Sequence, residues 1–237
     1  MIRPILIPLM KSKKSESEVK LHEELSFAFF KGKCTDIAKR LLGKALITRT
    51  PEGIAGGIIV ETEAYLGMND PACHLSHGVT KRTESFCNGS GTLYIFKIHR
   101  YNNLNVISEY NAHPECILLR AIEPTHGLAL MKRRRGTDTI TDLTTGPGKL
   151  TEALGITKEA SNNKRINTGT IFLVNTAITN VDMVTTTRIG ISKATDWPLR
   201  YYIKNNPFVS KSTKKERAVG SSFDEARYYA FLSRPAV

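Results

Sequence analysis

From residue 54 to residue 65 the chain reads Ile-Ala-Gly-Gly-Ile-Ile-Val-Glu-Thr-Glu-Ala-Tyr. β-branched residues follow a turn signal at 50–53, and apolar and polar positions alternate in the second half, which predicts a strand. A period of two puts Ile59, Glu61, Glu63 and Tyr65 on one face and Ile58, Val60, Thr62 and Ala64 on the other. Before this strand, Thr35-Asp36 can cap a helix that runs to Leu42 with Ile37, Ala38, Leu41 and Leu42 on one stripe and Gly43 at its end. A short strand at 45–48 then pairs with the central one through the turn at 51–53.

Downstream, strand patterns at 92–98 and 104–108 flank His99-Arg100-Tyr101-Asn102-Asn103, which predicts a hairpin with an unusually aromatic, basic tip. A further strand at 116–122 is apolar apart from Arg120. Helical patterns cover 125–135, with the basic residues at the end the dipole prefers, and 149–154, opened by Gly146-Pro147-Gly148 and closed by Gly155. Strands are expected at 170–174, 186–191 and 200–203. Between 66 and 91 lies a long polar connection in which Asp70-Pro71 has the form of a helix start, with His74 one turn in. A connection of this length in a compact domain is usually functional or disordered. The whole predicts an α+β fold: a single domain with a curved, largely antiparallel sheet, flanking helices and a protruding hairpin. Residues 1–24 read as a flexible arm, 25–210 as the domain, and 211–237 as a basic tail or short helix.

Charge narrows the class. The 237 residues carry a formal net charge of +12, with the cations clustered at 81–82, 97–100, 132–135, 164–165 and 214–215. That favours a polyanionic partner, nucleic acid before a membrane surface. No apolar run is long enough for a spanning helix, and the start of the chain lacks the organisation of a secretory signal. Four cysteines without CxxC spacing fit free thiols in a reducing, intracellular compartment: cytoplasmic (nucleoid) in a bacterium, nuclear in a eukaryote.

Candidate chemistry centres on the acids. Same-face neighbours on a strand lie roughly 7 Å apart, so Glu61 and Glu63 feel each other. Enclosure of that face would favour acid–base work near neutral pH; the bland alternative is a solvated strand face. Cys73, His74, His77 and Cys87 crowd together, but one Cys-x3-His and a distant Cys match zinc spacing poorly. No metal and no cofactor is expected, and a zinc hydrolase using Cys73, His77 and Cys87 stands as a rival. Free amides at the start of the 149–154 helix, with Lys149, form a candidate anion site. Aromatic residues that stack on bases, cations that hold phosphates and a carboxylate that activates water together describe an enzyme acting on a base drawn out of a duplex.

Several segments carry a more specific likeness: 38–46 (AKRLLGKAL), 59–67 (IVETEAYLG), 70–74 (DPACH), 91–94 (GTLY), 117–124 (ILLRAIEP), 146–150 (GPGKL), 188–191 (RIGI) and 197–201 (WPLRY). In combination they resemble the alkyladenine (3-methyladenine) DNA glycosylases of the mammalian alkyladenine type, over about residues 30–210. The resemblance implies a monofunctional hydrolase, monomeric, that takes damaged purines from double-stranded DNA. It makes Glu63 the general base and Arg120 its catalytic companion on the sugar-phosphate side. Tyr65 and Phe96 would sandwich the base beside His74, with Asn105 screening its edge. Phe96 stands where the family usually has Tyr. The wedge that fills the emptied stack falls at His99 or Tyr101, flanked by Arg100, and Lys149 joins the DNA-binding set. The competing structural readings are core aromatics at 65, 94 and 96, a buried ion-pair partner at Arg120 and a solvated Lys149. A non-catalytic duplex-binding protein is the alternative function.

Overall fold

The computed structural model describes residues 21–210 together with Ala226 and Tyr229; the remainder of the expected arm and tail lies outside the described residues. In chain order the main elements are β1 (Leu21–Glu24), α1 (Cys34–Leu41), β2 (Ala45–Thr50), β3 (Gly53–Tyr65), β4 (Leu93–Ile98), β5 (Tyr101–Tyr110), β6 (His113–His126), α2 (Leu128–Arg135), α3 (Pro147–Leu154), α4 (Lys158–Ser161), β7 (Ile171–Thr176), β8 (Met183–Thr186) and β9 (Arg200–Ile203). The strands form one open sheet in the order β1-β7-β2-β3-β6-β5-β4, and β9 joins β3 while pairing with β8. Every strand ladder among the described residues is antiparallel. The fold is the α+β single domain that the pattern predicts.

β3 is central because its neighbours need its close approach. A Cβ at Gly57 would collide with the carbonyl of Glu123 on β6, so glycine there lets β6 pair along nearly the whole of β3. The pairing shifts register near Gly56 and Gly57 and again between Ile59 and Thr62, and the second place shapes the site. Ile59 opposes Ile122 and Glu61 opposes Ala121, but Thr62 opposes Leu119. Val60 on one strand and Arg120 on the other are therefore extra residues, as in a bulge.

This irregularity corrects the simple alternation. Ile59 lies in the large core with Ala64, and the Thr62 hydroxyl donates to the Ala38 carbonyl of α1 at 2.9 Å. Val60 packs instead with Ala121 and Phe208, on the side where Glu61 meets Ser210. The phase slips between Ile59 and Glu61, so Glu61, Glu63 and Tyr65 share a face that Ile59 has left.

The core lies between the sheet and the helices. α1 packs on β3, β5 and β6, and α3 packs on β5 and β6 with α2 against it. Ile37, Ala38 and Leu41 of α1 are fully buried, each large side chain contributing about 1.5–3 kcal/mol by leaving water.

Other boundaries differ for local physical reasons. Thr35 is no cap: α1 starts at Cys34, whose N–H donates to the distant Glu115 carboxylate at 2.9 Å, so a tertiary contact does the work of a capping side chain. Asp70-Pro71 opens no α-helix, because both Asp70 oxygens are taken by Leu66 N–H, Ala72 N–H and Arg188, leaving a 3-10 turn at His74–His77. The expected strand at 186–191 ends at Thr186, and Arg188 and Ile189 are drawn inward. Leu21–Glu24, assigned to the arm, pairs with β7. The one-turn α4 was unforeseen. Its cap is Thr157, whose side chain accepts from Ala160 N–H.

Candidate active site

The sheet leaves a cavity of about 440 Å³ against the 66–91 connection, within the usual range of small-molecule sites, about 300–1,000 Å³. Its floor is made by register. Tyr94 opposes Asn105, Phe96 opposes Asn103 and Ile98 opposes Tyr101, so period-two alternation presents Tyr94, Phe96 and Ile98 together with both Asn residues to one side. Tyr65 and Arg120 line it from β3 and β6, His74 from the connection, and Ile189 from the segment after β8.

Behind the Tyr65–Arg120–Ile189 wall lies a buried charge cluster. Glu63 is fully buried. Its Oε2 accepts from the Tyr65 hydroxyl at 2.9 Å and lies 3.3 Å from Arg120 Nη1, while its Oε1 accepts from Ile189 N–H at 2.7 Å. All three of its partners line the cavity, and the carboxylate stands one layer deeper. An ionised carboxylate offers about four acceptor positions, so Glu63 retains capacity for a water.

Glu61, equally buried, accepts from Arg120 Nε at 3.2 Å and from the N–H and hydroxyl of Ser210, both at 2.8 Å, with Arg200 Nε 3.6 Å away. Arg188 grips both oxygens of Asp70, donates to the Ala64 carbonyl at 3.1 Å and lies 4.6 Å over the Tyr65 ring. Three carboxylates (Glu61, Glu63, Asp70) thus meet three guanidinium groups (Arg120, Arg188, Arg200). Such burial is tolerable only when charges are paired and hydrogen-bonded. The ion-pair reading of Arg120 and its place in the cavity wall hold together.

Burial, opposed by Glu63 and Glu61, leaves Arg120 with its pKa above the ordinary value, so it stays charged. Burial and the adjacent Glu63 charge push the Tyr65 phenol well up, which keeps it a donor to Glu63.

The opposite wall is uncharged apart from Arg82 at its edge. The His74 ring is 4.5 Å from the Phe96 ring, nearly perpendicular to it, and Tyr94 is 5.4 Å from Phe96. Burial, then the nearby Arg82 and His77 charges, hold the His74 pKa down to about 4, so the ring is neutral at pH 7. Arg82 faces Nε2 at 3.1 Å and can only donate, which places the ring proton on Nδ1, 2.8 Å from the Tyr94 hydroxyl. Tyr65 and Phe96 line the same cavity, and among the described residues no ring contact joins them. Asn105 also lines it, but its amide is largely spent: Nδ2 donates to the Tyr94 carbonyl at 3.1 Å and the Asn103 carbonyl at 3.4 Å, and Oδ1 faces the Cys116 thiol.

The expected DNA-contact residues lie outside the cavity. The hairpin closes in two residues, His99-Arg100, with His99 exposed at φ 52°. Tyr101 is in β5, half-buried, and a Cβ at Gly148 would press on its ring. Arg100 donates to the Tyr101 hydroxyl at 2.7 Å. Of the two wedge candidates, His99 therefore occupies the tip. Lys149 at the start of α3 is paired with Asp142 rather than free. Among the described residues, no three His, Cys, Asp or Glu side chains converge as metal ligands would.

Sequence reasoning missed Asp70, Arg188, Arg200 and Ser210 as members of the charge cluster. For Arg200 the signal was the one noticed at Arg120, a cation between apolar neighbours in Leu199-Arg200-Tyr201, whereas Arg188 follows Thr185-Thr186-Thr187 and offered none. Ser210 offered no signal.

Comparison with known proteins gives the chain a family. A family model described as methylpurine-DNA glycosylase (MPG) matches residues 28–207. A protein of Prosthecochloris aestuarii is 41% identical over 199 residues, which cover 81% of this chain and 95% of the relative. One from Bacillus licheniformis is 41% identical over 195 residues, 80% of this chain and 98% of the relative. One from Methanoculleus marisnigri is 41% identical over 192 residues, 79% and 98%. All three carry the words 3-methyladenine DNA glycosylase in their names. The chain belongs to the methylpurine-DNA glycosylase family, DNA-repair hydrolases that process alkylated bases.

Proposed function

We propose that the protein excises alkylated or deaminated purines, of the 3-methyladenine, 7-methylguanine, hypoxanthine and ethenoadenine class, from double-stranded DNA. The nucleotide is turned out of the helix, the base enters between Tyr65 and Phe96, and a water activated by Glu63 attacks C1′. One observation carries this reading: Tyr65, His74, Phe96 and Arg120 line a single cavity whose wall residues are bonded directly to the Glu63 carboxylate. The Ile189 N–H holds Glu63 Oε1 next to that wall, which is where a water between carboxylate and sugar belongs.

The charge of Glu63 has a second use. Bond cleavage builds positive charge on the sugar, and a carboxylate about 4 Å away is worth about 4 kcal/mol at an effective dielectric near 20. Arg120 pairs with Glu63 at 3.3 Å and presents its remaining donors to the sugar-phosphate side. Leaving-group chemistry then sorts substrates. A base alkylated at N3 or N7 is already cationic and departs unaided, whereas hypoxanthine or ethenoadenine needs a proton. Glu63 as base supplies none, so selection rests on stacking and fit. In this reading His99 at the hairpin tip fills the emptied stack, Arg100 holds a phosphate, and Lys149 does so on exchanging its Asp142 partner for one.

The test is incubation with duplexes that each carry one modified purine, followed by alkali. Strand cleavage at the lesion, without a covalent adduct trapped by borohydride, is expected. Tight duplex binding with no abasic product would leave the protein a binding module only, and a trapped adduct would make it a lyase.

A further inference from the structure

The floor of the cavity holds two asparagines in unlike states. Asn103 is 4% exposed and lies directly across the β4–β5 ladder from Phe96, so both side chains face the cavity as neighbours. Its Nδ2 donates to the Tyr101 carbonyl at 3.3 Å. That bond settles which end of the amide is which and turns Oδ1 the other way. Oδ1 receives no donor from the described residues, yet it is not sealed in the interior as the unpartnered Ser108 Oγ is. It is a carbonyl oxygen open to the cavity. Asn105, one pleat deeper, has its amide committed to the Tyr94 and Asn103 carbonyls.

A nearly buried acceptor beside a stacking ring asks for a donor on whatever stacks there. Around it, the Leu118 and Ile98 side chains offer no hydrogen-bond donor, and the described contacts of the Tyr94 hydroxyl and of Arg120 go to His74, Glu61, Glu63 and Ser210 instead. Resting on the base-excision reading above, we infer that Asn103 Oδ1 reads the edge of the extruded purine by accepting a hydrogen bond from a ring or exocyclic N–H. Asn103, rather than Asn105, then determines specificity, and the preferred substrates are purines that keep an N–H on that edge. 3-Methyladenine offers its exocyclic amine, 7-methylguanine its amine and N1–H, and hypoxanthine its N1–H. In 1,N6-ethenoadenine the bridge replaces those hydrogens, and no N–H remains. A site built to bond an N–H leaves its own acceptor unpaired when the analogue lacks one, which penalises that analogue.

The experiment compares single-turnover excision of hypoxanthine and 1,N6-ethenoadenine from otherwise identical duplexes by the wild-type protein, Asn103→Leu, Asn103→Asp and Asn105→Leu. The ratio of the two rates is the readout, so a general loss of activity cancels. In Asn103→Leu the hypoxanthine-to-ethenoadenine ratio falls about tenfold. Asn103→Asp keeps an acceptor oxygen and keeps the preference for hypoxanthine. Asn105→Leu lowers both rates together and leaves the ratio within about twofold of wild type. An Asn103→Leu ratio equal to that of wild type, or a ratio that moves only in Asn105→Leu, overturns the inference and leaves base excision standing. If the wild-type protein releases neither base, nor 3-methyladenine or 7-methylguanine, the excision reading itself fails. Should Asn103→Leu not fold, the Asp variant decides alone: loss of the hypoxanthine preference there, with the acceptor still in place, contradicts an acceptor role.

Discussion

The two walls of the cavity are built on opposite principles. On one side Tyr65 and Ile189 flank Arg120, one of six buried charges in which each carboxylate faces a guanidinium. On the other, His74, Tyr94, Phe96 and Asn103 are held by ring packing and neutral hydrogen bonds. The charged wall fixes geometry, because moving one member strands its partners in a medium that does not solvate them. The aromatic wall is adaptable, because stacking tolerates any flat ring. On the proposed reading, the chemistry falls to the wall that cannot move, and most of the recognition to the wall that can be retuned one residue at a time. Substitutions on the two sides ought to fail differently.

The largest difference is expected at Glu63. Glu63→Gln keeps shape and most hydrogen bonding but removes the base, and single-turnover excision should fall by about 10²–10⁴-fold while lesion-duplex affinity is kept. A rate within a factor of a few of wild type would refute its role. Next is Arg120→Met, which leaves Glu61 and Glu63 without their shared cation. Chemical denaturation should show a loss of about 3–5 kcal/mol, far more than any single change on the aromatic wall. A loss below about 1 kcal/mol, the level of exposed pairs, would mean that the cluster is not a coupled unit. On the other wall, Phe96→Leu should leave stability nearly intact and weaken lesion binding by about 1–3 kcal/mol, the worth of base–aromatic stacking. Equal weakening on undamaged duplex would show that the ring does not receive the base.

The smallest effect concerns pH. The folded-state pKa of His74 is about 4, below its ordinary value of 6.5. Between these values the unfolded chain binds a proton that the folded chain does not. The His74 contribution is therefore full above pH 6.5 and is lost as pH falls towards 4. Denaturation midpoints measured across that window should decline less in His74→Asn than in wild type. A parallel decline would place His74 in open solvent.

How much of this was legible beforehand depends on range. β3, β6, the hairpin and both ends of α3 follow from short-range pattern, since alternation and glycine stops are local properties. Tyr65, His74, Phe96, Asn105 and Arg120 were named from the sequence, and the fold brings them to one cavity. What failed was long-range. No local pattern tells that Glu115 caps α1 from 81 residues away, that Arg188 takes both oxygens of Asp70, or that extra residues at Val60 and Arg120 shift the phase of β3 against β6. The depth of Glu63 was missed for the same reason. An alternating strand shows which face a carboxylate occupies, and the partners that bury it come from other strands and loops.

The account turns on residue 63 reaching the sugar of a base held in the cavity. A crystal structure of Glu63→Gln with a duplex containing hypoxanthine tests this most directly. The account predicts the purine between Tyr65 and Phe96, with the residue 63 amide one water from C1′. A purine still stacked in the helix, or a residue 63 sealed from the sugar by Tyr65 and Arg120, would contradict it.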